Sequence, residues 1–180
     1  MKNILSKYED IALSDKEVLK LVNGRANLIL YPELHKYKTL DQILEPYGAC
    51  ILLYESKPKF GHWCCIFKVN DNLVEYFNPY GGPPDNSLEH ISINFRLISN
   101  QYHPHLSYLM YNSNYQLSYN EYNFQKYGRD IKTCGRWVCI RLLFRDYSLH
   151  YFHKLINIMK KELNMTGDKL VTFLTMYINK

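Results

Sequence analysis

The chain has 180 residues, 47% apolar and 22% charged, the balance of one folded globular domain and not of a disordered segment. No apolar run approaches the roughly 18–20 residues of a spanning helix, and MKNILSKYED has no secretory apolar core, so a soluble, unsecreted protein without a membrane partner is expected. The net charge of +5 permits a nucleic-acid partner without requiring one.

Residues 1–12 read as a loosely held terminus. Ser14-Asp15-Lys16-Glu17 has the form of a capping box, and Val18, Leu19, Leu21 and Val22 continue it as a helix that Gly24 ends. A second short helix is expected from Thr39 or Asp41, with Leu40, Ile43 and Leu44 on one face and Pro46 and Gly48 as its stop. Ala49–Tyr54 is an apolar run of strand length, followed by a loop at 57–61. His62–Phe67 and Leu73–Phe77, joined by Val69-Asn70-Asp71-Asn72, predict a β-hairpin. Asn78–Asp85 then leaves the sheet. Residues 88–98 alternate like a strand but also suit a short helix, and weak strand signals lie at 106–111 and 115–119. Cys134–Tyr147 reads as a central helix that is apolar around most of its girth. A further helix over 149–163 carries Phe152, Leu155, Ile156, Met159 and Leu163 on one stripe. Gly167 breaks the chain before a last helix or strand over 168–178. This order predicts an α+β fold, helices packed on a mostly antiparallel sheet, in a single domain spanning 1–180.

The five cysteines are odd in number and lack C-x-x-C spacing, which argues against a disulfide framework or zinc site and for a reducing compartment. Cys64 and Cys65 would face opposite sides of a strand. Cys134 opens the predicted central helix, where the positive end of the dipole and a nearby imidazolium would lower a thiol's pKa. His62 starts one hairpin strand and Asn78 follows the end of its antiparallel partner, so the two can meet at the open end of the hairpin. Asn78 would then fix the tautomer of His62 and leave its other nitrogen to take a proton. Gly135 permits close approach of a substrate carbonyl, and the Cys134 N–H with Gln125 would stabilise an oxyanion. His103-Pro104-His105 reads as a loop and His150 and His153 as helix surface, so no metal is expected.

His62-Trp63, Phe77-Asn78-Pro79-Tyr80-Gly81, Gln125 and Cys134-Gly135 together resemble the adenain-type cysteine protease clan, which includes the adenovirus maturation proteinase and the ubiquitin-like/SUMO proteases. The resemblance covers about residues 49–145. It implies a viral or virophage endopeptidase with a Cys134–His62–Asn78 triad. Its substrates would be capsid or core precursors cut near a Gly at P1 or P2. It implies a monomer acting in the virion and in the host cytoplasm, at the viral factory, or the nucleus. No cofactor is required by the sequence, although DNA or a peptide is the activator the clan suggests. Nucleic acid would meet a basic face of Arg141, Arg145, Lys160 and Lys161, for which a plain solvated helix surface is the competing reading. Trp63 would line a narrow substrate slot or fill the core. Asn78 stands where many relatives carry Asp or Glu, and Glu75 falls on the other face of the strand. The nine-residue step from Gln125 to Cys134 is longer than usual for the clan, which makes Tyr127 a second candidate for the oxyanion. The same triad would also serve a ubiquitin/SUMO-type isopeptidase or an acyltransferase, and a catalytically dead binding module is a further reading.

Overall fold

The computed structural model describes residues 2–177. Its fold is α+β. A five-stranded sheet runs in the order β1 (Asn27–Leu30), β2 (Ala49–Lys57), β3 (Phe60–Asn70), β4 (Leu73–Phe77) and β5 (Gln116–Tyr119). The centre, β2–β3–β4, is antiparallel, while β1 on β2 and β5 on β4 pair in parallel. Both parallel edges come from segments with little local signal: Asn27–Leu30 has none of the alternation that marks a half-buried strand.

The sheet is covered on both faces, which explains the unbroken apolar run of β2. Ile51, Leu53, Trp63, Cys65, Phe67 and Phe77 pack against α2 (Asp15–Leu21), α6 (Cys134–Leu143), α7 (Leu149–Glu162) and α8 (Gly167–Tyr177). Cys50, Leu52, Tyr54, Cys64, Ile66 and Tyr76 pack on the other side against α3 (Leu40–Leu44) and α5 (His105–Tyr111). Cys64 and Cys65 therefore do enter opposite halves of the core, and Cys50 and Cys139 are buried with them.

The helices α2 and α3 both carry full capping boxes, at Ser14/Glu17 and Thr39/Gln42. Elsewhere the structure corrects local readings. Residues 2–9 form α1, with Leu5 buried. The Glu9 carbonyl accepts from the Lys132 N–H at 2.7 Å and the Tyr8 carbonyl from the Arg136 guanidinium at 3.4 Å, anchors that lie over a hundred residues away. The 106–111 segment is the helix α5, not a strand, and 93–98 is the short helix α4, capped by Ser92. The central helix stops at Leu143 and not Tyr147, because the guanidinium of Arg141 takes the Phe144 and Tyr147 carbonyls. The segment read as 168–178 is the helix α8, and Ile178 and Met1 lie outside the described residues.

The largest correction concerns Arg141, expected on a basic face. It is fully buried in α6, paired bidentately with Glu75 of β4 at 2.7 and 2.8 Å. A helix packed on all sides has no solvated face to give it.

Candidate active site

The hairpin register sets Cys65 opposite Phe77 and Ile66 opposite Tyr76. Beyond Phe77 the chain leaves the sheet through Asn78–Gly82, where Gly81 (φ +80°) and Gly82 (φ +94°) adopt the left-handed conformation. A Cβ on Gly81 would come within 2.8 Å of the Glu121 carbonyl, so this turn needs glycine both for conformation and for space. The turn aims Asn78 at the start of β3, and His62 Nε2 lies 2.8 Å from Asn78 Oδ1.

Every polar atom of Asn78 is engaged. Its Oδ1 also accepts from the Tyr80 N–H at 3.0 Å, and its Nδ2 donates to the Gly81 carbonyl at 2.7 Å and to Ser87 Oγ at 3.4 Å. Asn120, wholly buried just after β5, accepts from the Asn78 N–H at 3.0 Å and donates to the Asn78 carbonyl at 2.7 Å. These partners fix the amide orientation, because a flipped Asn78 would set two acceptors against each other at Gly81. His62 Nε2 must therefore carry the proton, and in the neutral ring Nδ1 is left as the base.

Cys134 is the first residue of α6 and is 7% exposed. The backbone N–H groups of Trp63, the residue after His62, and of Gly135 and Cys134 act to lower its thiol pKa. Burial outweighs these backbone groups and raises the thiol pKa, and burial lowers that of His62 to about 4, against the Asn78 contact. The resting pair is neutral thiol and neutral imidazole, whereas the helix dipole alone predicts a lowered thiol. Desolvation outweighs the dipole at the buried Cys134, and it is also the largest influence on the half-buried His62.

The remaining expected residues fall around this pair. Trp63 is buried, donates its indole N–H to the Leu13 carbonyl at 3.2 Å, and edges a groove of about 230 Å³ with Leu28, Leu30, Leu53 and Phe60. Gly135 faces the protein: a Cβ there would lie 3.0 Å from Trp63 Cδ1 and 3.3 Å from Leu13 Cβ. Its small size serves the packing of α6 onto β3. Gln125 is buried, with Nε2 donating to the Tyr80 hydroxyl at 3.0 Å and to the Ile131 carbonyl at 3.2 Å. Tyr127 is 56% exposed and stacks on Tyr80 at 4.4 Å. A cleft of about 290 Å³ opens beside His62, between Tyr80, Tyr127, His90 and Ile91.

Two further residues organise the site without any local sequence signal. One is Asn120, described above. The other is Asp168, buried in the first turn of α8, which accepts from Thr133 Oγ1 at 2.5 Å, Trp137 Nε1 at 2.9 Å and the Lys126 N–H at 3.1 Å. It ties the residue before Cys134 to the loop that follows Gln125. Its sequence signature is an ordinary acidic residue in a first helical turn, which does not reveal the partners.

No family model matches the chain. Among solved structures, the central domain of Lpg1148 from Legionella pneumophila aligns with a TM-score of 0.41 and 12% identity, over 93% of this chain and 97% of that one. The SUMO protease Ulp1, with its catalytic cysteine oxidised to a sulfinic acid, aligns with a TM-score of 0.38 and 12% identity, over 93% of this chain and 77% of that one. In sequence, the chain is 48% identical over 171 residues to the uncharacterized protein V9 of Sputnik virophage, covering 95% of this chain and 98% of V9. At that identity and coverage, the chain belongs to the same protein family as V9 of Sputnik virophage.

Proposed function

We propose that the chain is a cysteine endopeptidase that processes viral capsid or core precursors, with Cys134 as nucleophile, His62 as general base and acid, and Asn78 as the group that orients His62. The observation that carries this reading is the 2.8 Å His62–Asn78 contact with the amide orientation fixed, together with a cysteine as the first residue of the central helix. Kinship with a virophage protein supports the viral setting. The capsid substrates, the preference for Gly near P1 or P2, and activation by DNA or a peptide rest on the resemblance of the motifs.

In the first step the thiol proton passes to His62 Nδ1 as sulfur bonds to the scissile carbonyl carbon, and the carbonyl electrons move to oxygen. Collapse re-forms the carbonyl and breaks the C–N bond, and His62 returns its proton to the leaving amine. Water then attacks the thioester, losing a proton to His62, and the sulfur departs and is reprotonated.

The reading is tested by incubating the full chain, and its Cys134→Ala variant, with the capsid and core proteins encoded by the same genome. Discrete fragments with new N-termini, formed only with the intact cysteine, are expected. Identical untouched substrates in both reactions would overturn it. Labelling of Cys134 by a ubiquitin-like C-terminal electrophile, without fragments, would move the assignment to an isopeptidase.

A pH profile follows from the neutral resting pair. The active form holds one proton across Cys134 and His62, so acid activity is lost only when His62 protonates. The acid limb of kcat/KM is expected near pH 4, not near the ordinary histidine value of 6.5. The alkaline limb should lie above the ordinary thiol value of 9.0, because burial raises the thiol. Both limbs are apparent values of the coupled pair. An acid limb near 6.5 would contradict the desolvation of His62.

A further inference from the structure

Gln125 has two amide hydrogens, and both are spent inside the protein, on the Ile131 carbonyl and the Tyr80 hydroxyl. Its Oε1 is buried and has no partner among the described residues. Turning the amide over would set Oε1 against the Ile131 carbonyl oxygen, so the orientation is fixed and neither hydrogen faces a substrate.

The hydroxyl that Gln125 reaches is better placed. The Tyr80 ring stacks on His62, with centroids 4.7 Å apart and planes 17° from parallel, and is backed on its other side by Tyr127 at 4.4 Å and 7°. The ring is therefore clamped in a three-membered stack whose first member is the base. Tyr80 and Tyr127 both line the cleft beside His62. After burial, Cys134 is the group that most raises the Tyr80 pKa. A hydroxyl that accepts one hydrogen bond still has its own hydrogen to give, and accepting makes it the stronger donor. Burial pushes the Tyr80 pKa up to about 12, so that hydrogen is present at any working pH.

We propose that Tyr80 is a catalytic residue whose hydroxyl donates to the oxyanion formed when Cys134 attacks a carbonyl, with Gln125 as the positioning residue behind it. This rests on the cysteine-peptidase reading above. As sulfur bonds to carbon, the carbonyl π electrons move to oxygen, and the Tyr80 O–H and the Cys134 N–H both donate to that oxygen. No proton leaves Tyr80. When the carbonyl re-forms, the two hydrogen bonds weaken again. The longer gap between Gln125 and Cys134 fits this arrangement, since Gln125 reaches the oxyanion through a phenol and not directly.

The test compares two reactions at Cys134 in the full chain, both read by mass spectrometry of the Cys134 peptide. Acylation by p-nitrophenyl acetate passes through an oxyanion, whereas alkylation by iodoacetamide displaces iodide and forms none. Tyr80→Phe keeps the ring stack and removes only the hydroxyl. It is expected to slow acylation about 10²–10³-fold while changing alkylation by less than about twofold. Gln125→Ala should give the same selective pattern with a smaller loss. Unchanged alkylation also reports an intact fold and thiol. Equal slowing of both reactions, or slowing of neither, would overturn the proposal while leaving the cysteine-peptidase reading in place. No acylation of Cys134 in the wild-type chain beyond that of the buried Cys64 and Cys139 would overturn both.

Discussion

Replacing Asn78 by alanine is expected to slow acylation of Cys134 by roughly 10²–10⁴-fold, the usual contribution of a positioned general base. The Asn78 amide is the partner that selects the Nε2–H tautomer of His62. Without it the imidazole can place its proton on Nδ1, where it cannot accept the thiol proton. The loss should appear in kcat with little change in KM, since Asn78 is buried and has no path to a substrate. The aspartate variant separates orientation from charge. Asn78→Asp keeps an acceptor for His62 but puts a carboxylate oxygen where Nδ2 now donates to the Gly81 carbonyl at 2.7 Å. Its negative charge favours imidazolium, so the His62 pKa should rise and the acid limb of the pH profile should move up from about 4. The turn should also become less stable, because two acceptors then face each other. An aspartate variant with an unmoved acid limb, or an alanine variant with full activity, would remove Asn78 from the mechanism.

The parts of the site that were legible in the sequence are those that short-range rules control. The His62–Asn78 contact follows from a hairpin with a recognisable turn and from strand periodicity, which puts both residues on one face at one end. The place of Cys134 follows from the start of an apolar helix. What escaped depends on partners distant in the chain. Asn120 and Asp168 hold Asn78 and Thr133 across 42 and 35 positions, and nothing near them marks the pairing. The edge strand β1, four residues long, needs its neighbour to exist, whereas β5 falls within the weak strand signal at 115–119. Gln125, the second oxyanion donor that its sequence position suggests, turns its amide inward onto Tyr80 and Ile131. The sign of the thiol shift was also hidden, because the dipole is visible in a helix start and the desolvation that outweighs it is visible only in the folded chain.

Arg141→Met is expected to lower the stability of the chain by about 3–5 kcal/mol, the cost of leaving a buried charge without its partner. Glu75 is 2% exposed in the middle of β4, too buried for solvent to replace the guanidinium. Arg141 lies between the rings of Phe67 at 4.9 Å and Phe152 at 5.0 Å, and its remaining hydrogens hold the Phe144 and Tyr147 carbonyls where α6 ends. Glu75 is the one charge in the apolar strand β4, and Arg141 is one of two in α6, the other being Arg136. Replacing both, as Glu75→Leu with Arg141→Met, removes the unpaired charge and should recover much of the loss, though not the two carbonyl contacts. Urea unfolding of the three variants gives the comparison. A cost for Arg141→Met within about 0.5 kcal/mol would mean that the guanidinium behaves as a surface group, contrary to its burial. The ion pair also joins β4, which ends at Phe77 just before Asn78, to α6, which begins at Cys134. The double variant therefore asks a second question. If it folds and acylates at the wild-type rate, shape alone keeps the two halves of the site in register. If it folds but acylates slowly, the ion pair sets that register.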